Sequence, residues 1–148
     1  MTVRVIDLES SGLGSDAEIL EIASVDIAPP NGIKNVMSTL VKPSKPIPAE
    51  ASAVHHLIDA DFAGAPVLGD AIQQFRRGER LFYVAHHAIF ESGFLNPLLL
   101  DDTGATPTWI CTFKCALRAW PELPKHTNQF LRYHLGLITP FNYSRAEL

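Results

Sequence analysis

The sequence predicts an α/β fold: a mixed five-stranded sheet, its first three strands antiparallel, flanked by helices. Three observations carry this. Residues 3–9, Val-Arg-Val-Ile-Asp-Leu-Glu, are rich in β-branched side chains, which fit a pleated surface. Pro29-Pro30-Asn31-Gly32 separates two further strand-like segments and is a strong hairpin turn signal. After residues 42–48, which hold three prolines in seven positions, the apolar period becomes helical. The resulting order, β-β-β-α-β-α-β-α, is an antiparallel start followed by crossovers, which calls for a mixed sheet with helices on its faces.

Each element has a local reason. Residues 3–9 form a strand running into the turn Ser10-Ser11-Gly12-Leu13-Gly14, and residues 19–28 and 34–41 form the hairpin. Residues 49–57 read as a short helix. Residues 66–77 read as a longer one, with Pro66 near its first turn and Gly78 beyond its end. Residues 81–86 are a short buried strand. Residues 87–100 have helical spacing interrupted by Pro97, which lacks the amide a helix needs. Residues 108–111 are the fifth strand, and helices follow at 113–119 and 127–135.

Composition bounds the function. A chain of 148 residues is the size of one domain and can bury roughly 68–70% of its unfolded surface. With 47% apolar and 19% charged residues, it is neither a disordered tail nor a charge-driven binder. No apolar run approaches the roughly 18–20 residues that span a bilayer, so no membrane association is expected. The N-terminus shows no secretory pattern. Cys111 and Cys115 are the only cysteines, too few for a disulfide framework, and a cytoplasmic location is expected. The net charge of −4 argues against non-specific coating of nucleic acid. The charge is uneven, however. Residues 1–74 hold 10 acids against 4 bases, and residues 75–148 hold 6 against 8. Carboxylates that hold divalent cations invert the local field, so an acidic half is compatible with nucleic-acid chemistry.

Asp7 and Glu9 are the sharpest chemical feature. Residues i and i+2 of a strand share a face, so both carboxylates project together from the end of the first strand. Like charges so placed repel. Hard divalent cations such as Mg²⁺ or Mn²⁺ remove that objection. The pair alone also fits a solvated strand end. The Ser10–Gly14 turn supplies amides and hydroxyls that could hold a phosphate or a terminal sugar. Further on, Val84-Ala85-His86-His87-Ala88-Ile89-Phe90-Glu91 places His87 and Glu91 one helical turn apart on one face. Phe90, Phe94 and Leu95 can supply core contacts. A lone helical glutamate is ordinarily a solvated charge.

Together these segments resemble the DEDD-type 3′–5′ exonucleases of the ribonuclease H-like fold. Asp7-Leu8-Glu9-Ser10-Ser11-Gly12 resembles the first motif, D-x-E-T/S-x-G. Residues 84–95 resemble the second, V-A-H-N-x-x-F-D-x-x-x-L, with His87 for Asn and Glu91 for Asp. Leu20–Asp26, Met37–Pro43 and Trp109–Pro121 extend the likeness over nearly the whole chain. The resemblance implies a two-metal hydrolysis of phosphodiester bonds that removes nucleotides from a 3′ end, with two Mg²⁺ or Mn²⁺ ions. It makes Asp7, Glu9 and Glu91 the metal ligands and catalytic carboxylates. Ser10, Ser11, Gly12 and Leu13 would cradle the terminal nucleotide, joined by His87 and by His56 from a histidine-containing loop. Lys114, Arg118 and Arg132 would contact the strand backbone. The implied partner is single-stranded or 3′-ended DNA, with RNA and a homodimer left open.

The third motif departs from the pattern. One branch of the family reads H-x-x-x-x-D there, and Ser144-Arg145-Ala146 stands in that stretch. The sister branch reads Tyr-x-x-x-Asp, which Tyr143 and Glu147 match with glutamate for aspartate. The expectation is a single exonuclease domain over residues 1–148, lacking the family's C-terminal helix. Its rival is a degenerate relative that binds single-stranded ends without cutting them. Cys111, Cys115, His126 and His134 are spaced poorly for zinc. They read instead as buried cysteines at a strand end and on a helix.

Overall fold

The computed structural model describes residues 2–30, 32–76, 82–101 and 103–137. Five strands form one sheet in the order β3-β2-β1-β4-β5. β1 (Val3–Ser10) pairs antiparallel with β2 (Ile19–Ile27), and β2 pairs antiparallel with β3 (Ile33–Leu40). β4 (Phe82–Ala85) runs parallel to β1, and β5 (Thr108–Cys111) parallel to β4. The predicted mixed sheet, antiparallel in its first three strands, is what forms. Among the described residues five helices accompany it: α1 (Ala49–His55), α2 (Leu68–Ala71), α3 (Ala88–Leu95), α4 (Thr112–Ala119) and α5 (Asn128–His134). Among the described residues no helix is long and apolar enough to cross a membrane.

β1 lies at the centre, and its alternation decides what the sheet does on each side. Arg4, Ile6 and Leu8 are buried on one face. Ile6 and Leu8 join Ile22, Ala71, Ile72, Phe75, Tyr83 and Leu95 in the main core, where each large apolar side chain contributes about 1.5–3 kcal/mol. Arg4 is fully buried, and Asp26 accepts its Nε and Nη2 at 2.6 and 2.8 Å. Its Nη1 donates to the Phe75 carbonyl at 2.8 Å, and the Asn35 amide donates to Asp26 at 2.7 Å. This network ties β1, β2 and β3 to the segment after α2. Asp7 and Glu9 fall on the other face, as their spacing predicts.

Two predicted helices are shorter than expected. The segment expected at 66–77 is one turn, α2, passing into a tighter 3-10 turn over Ile72–Gln74. Gly69 weakens the helix by about 1 kcal/mol relative to alanine. The 3-10 geometry brings Ala71, Ile72 and Phe75 together into the core. Gly78 lies outside the described residues. The helix expected over 87–100 runs from Ala88 to Leu95. Beyond it the amides of Leu98 and Leu99 both donate to the Leu95 carbonyl, at 3.0 and 2.9 Å, a tightened end that Pro97 cannot extend. A 3-10 turn over Asp59–Phe62 has no predicted counterpart. The Asp61 carboxylate accepts the Ile58 amide at 2.9 Å to start it.

Candidate active site

Asp7 and Glu9 stand near the end of β1, and the antiparallel register supplies their company. Asp7 lies opposite Ala23, and Glu9 lies opposite Glu21. A one-residue bulge follows, between Glu9 and Ser10; bulges recur beside active sites because they re-aim side chains. Glu21 is a carboxylate of the site that the sequence reading missed. The signal was available only through the hairpin register. Its Oε1 accepts the Ser38 hydroxyl at 2.8 Å, which holds it in place beside Glu9.

Glu91 reaches the same region from the first turn of α3. It is 3% exposed, and its Oε2 has no hydrogen-bond partner among the described residues. An unpaired buried carboxylate oxygen is costly, and the electrostatics reflect it. Burial pushes the Glu91 carboxyl up to about 7, with Asp7 adding repulsion and its own amide opposing. Glu9 is also pushed up to about 7, first by desolvation and then by Asp7 and Glu21. Desolvation raises Asp7, repulsion from Glu21 adds to it, and the Leu8 amide and His86 pull it back.

Among the described residues no three His, Cys, Asp or Glu side chains form a ready-made cage for a metal ion. The donor set nonetheless suits a hard divalent cation. It is all oxygen, its members repel one another, and one buried oxygen lacks any partner. The residues present therefore fit such an ion. A titration follows from the raised values. A glutamate held near 7 when folded and near 4.5 when unfolded favours the fold fully below the unfolded value. That contribution is lost as pH rises through the folded value. Without divalent cation, Tm is expected to fall between about pH 5 and pH 8, and the gain in Tm from added Mg²⁺ to grow over that window. A cation effect independent of pH, measured by thermal denaturation, would contradict the assignment.

The structure sorts the remaining residues. Ser10 donates to the Gly12 carbonyl at 2.8 Å and Ser11 Oγ accepts the Glu18 amide at 2.8 Å. The two hydroxyls thus shape the 10–13 turn, and Leu13, 89% exposed, projects from it. His56 ends α1 in the left-handed region, at φ 61°, and is exposed. Its neighbour His55 is the one that senses the cluster. Its Nδ1 accepts the Leu57 amide at 3.0 Å, and its buried Nε2 has no partner among the described residues. Desolvation and His56 lower its pKa while Glu21 opposes. His87 precedes α3 rather than joining it, and is exposed beside Phe113. It does not share the buried surface of Glu91. The adjacent His86 is fixed instead. Its Nε2 donates to the His126 carbonyl at 2.7 Å, and its Nδ1 pairs with Thr112 Oγ1 at 3.0 Å.

The cysteines depart from the sequence reading: Cys111 is half-buried and Cys115 is exposed. α4 turns Ala116 inward instead. His126 Nε2 is committed to the Trp120 carbonyl at 2.8 Å, and His134 stacks on Phe130, so the four residues form no zinc site. Tyr143 and Glu147 lie outside the described residues.

Comparison with known proteins agrees with this geometry. The RNase T family model, described as exonuclease, matches residues 5–139. The chain is 39% identical over 129 residues to exodeoxyribonuclease 10 of Escherichia coli K12, covering 87% of this chain and 53% of that protein. It thus spans about half the length of that relative. It is 29% identical to the DNA polymerase III subunit epsilon of Treponema pallidum, over 95% of this chain and 67% of that one. Among solved structures, exonuclease X in complex with 5′ overhanging duplex DNA superposes with a TM-score of 0.74 at 37% identity. The match covers 93% of this chain and 75% of that one. The sheet order, the carboxylates on β1 and α3, and a match over most of the sequence lead to one conclusion: this chain belongs to the RNase T exonuclease family.

Proposed function

We propose that the chain hydrolyses phosphodiester bonds stepwise from the 3′ end of DNA, assisted by two Mg²⁺ or Mn²⁺ ions held by Asp7, Glu9 and Glu91. The observation that carries this reading is the meeting of Asp7 and Glu9 on β1 with the buried, unpartnered Glu91 oxygen from α3. Bound there, the cations would bring the pKa of a water towards neutrality and offset charge gathering on the phosphate. The chain's own groups do the rest. Glu21 confines Glu9 from the neighbouring strand, and the core packing of α3 through Leu95 fixes Glu91. Leu13 offers an exposed apolar surface to the terminal base, and the 10–13 turn shapes the space for its sugar. DNA is the proposed substrate because the similar exonuclease X was solved with duplex DNA bound.

A single strand labelled at either end tests the polarity. With Mg²⁺, a 3′ label is expected to be released at once as mononucleotide, and a 5′ label to shorten through a ladder; chelator should stop both. The rival reading, a binder that does not cut, draws on the absence of a ready three-donor cage among the described residues. Retention of the full-length strand with Mg²⁺ or Mn²⁺ would favour that rival.

A further inference from the structure

Leu13 is 89% exposed, so the segment that carries it, rather than the core, fixes its place. Gly12 and Gly14 flank it and leave that backbone many conformations. The segment is closed at Ser11 and Glu18. The Ser11 amide donates to the Glu18 carbonyl at 2.9 Å, and the Glu18 amide donates to Ser11 Oγ at 2.8 Å. Within the loop the Ala17 amide donates to the Gly14 carbonyl at 3.1 Å. Glu18 then ties this loop to a second one. Its Oε1 and Oε2 accept the Ser44 amide at 3.2 and 3.1 Å, a hydrogen bond strengthened by charge. The segment holding Ser44 is stiff. Pro43, Pro46 and Pro48 restrict its torsions. The Lys42 amide donates to the Pro66 carbonyl at 2.8 Å, and the Ile47 amide donates to Asp59 Oδ1 at 2.9 Å. Lys45 and Asp16, 3.9 Å apart and exposed, form a further link that adds little.

We propose that Glu18 is a positioning residue for the terminal nucleotide: by clamping the 11–18 loop to residues 42–48, it holds Leu13 against the terminal base. The proposal rests on the exonuclease reading above, in which Leu13 faces that base. Glu18 itself touches no reacting group. Its carboxylate is committed to one backbone amide of a proline-stiffened segment, whereas Glu21, three residues on, stands beside Glu9. A loop anchored at both ends has less freedom to lose when a ligand orders it, so the clamp favours binding before the substrate arrives. Two readings compete. As a mere stitch, Glu18 would stabilise the fold and leave binding alone. As a bare negative charge, it would repel phosphates along any strand, and its removal would tighten binding.

The test compares two single strands of DNA, one linear with a 3′ terminus and one a closed circle without it. Each is bound to the whole chain in chelator, so that nothing is cut, and followed by fluorescence anisotropy. Glu18→Ala is expected to weaken the linear strand about tenfold, the lower end for a hydrogen bond to a charged group. Binding of the circle should stay as in the wild type, which also shows that the variant is folded. Glu18→Gln keeps an oxygen for the Ser44 amide and should restore most of the loss. Leu13→Ala should weaken the linear strand as well, and adding Glu18→Ala to it should change little further, because both act through one contact. In Mg²⁺ the loss is expected in KM, with turnover at saturating DNA held. Unchanged binding of the linear strand, an equal loss on both strands, fully multiplied effects in the double variant, or tighter binding of both strands would each overturn the clamp. All four leave the exonuclease reading standing. A wild-type chain that binds neither strand and cuts none in Mg²⁺ would overturn both.

Discussion

Asp7→Asn is expected to reduce nuclease turnover on the order of a thousandfold, because cation stabilisation of a phosphoryl transition state is worth several kcal/mol and each 1.36 kcal/mol is tenfold. The same substitution should raise Tm in chelator. Asp7 repels both Glu9 and Glu91, so a neutral amide there relieves two acids at once. Opposite signs in the two measurements mark a residue whose charge serves function at a cost to the fold. A structural carboxylate would lose both together. Turnover on 3′-labelled DNA and thermal denaturation of the same preparation decide it, and retained turnover would remove Asp7 from the proposed mechanism.

Arg4→Ala is expected to be the most damaging single substitution to stability. It leaves Asp26, 3% exposed, as a buried charge without its guanidinium and strips the Phe75 carbonyl of its donor. Breaking a buried pair from one side costs about 3–5 kcal/mol, against about 5–15 kcal/mol for a whole domain. For a chain of this size that is a fall in Tm of roughly 10 °C or more. Arg4→Met combined with Asp26→Leu removes both charges and should cost much less. Chemical denaturation of the two variants gives the comparison. Equal losses would show that packing volume, not charge pairing, is what the network contributes.

Sequence made the sheet legible because its information is local. The β-branched richness of residues 3–9 and the turn at Pro29–Gly32 are both readable within a few residues, and they fix the antiparallel half. Asp7, Glu9 and Glu91 were legible as residue types in motif spacing. Glu21 was not, since its place beside Glu9 depends on a register that a bulge shifts by one residue. The burial of Glu91 depends on how α3 packs, which helical spacing does not state. The left-handed torsion of His56, φ 61°, and the burial of the His55 Nε2 are properties of the folded chain that the sequence does not state. Within the helix predicted at 66–77, a 3-10 turn over Ile72–Gln74 sets Ile72 and Phe75 in the core, where the Phe75 carbonyl accepts from Arg4.

β1 therefore carries two kinds of information in alternate letters. Arg4, Ile6 and Leu8 are the letters that support the fold; Asp7 and Glu9 are the letters that carry the proposed chemistry. Damage along this strand should separate by parity, into loss of abundance at even positions and loss of specific activity at the odd acidic ones. Insertion of a single residue ahead of Asp7 would exchange the two sets, presenting carboxylates to the core and leucine to the substrate. The strand therefore has almost no tolerance for a change in length.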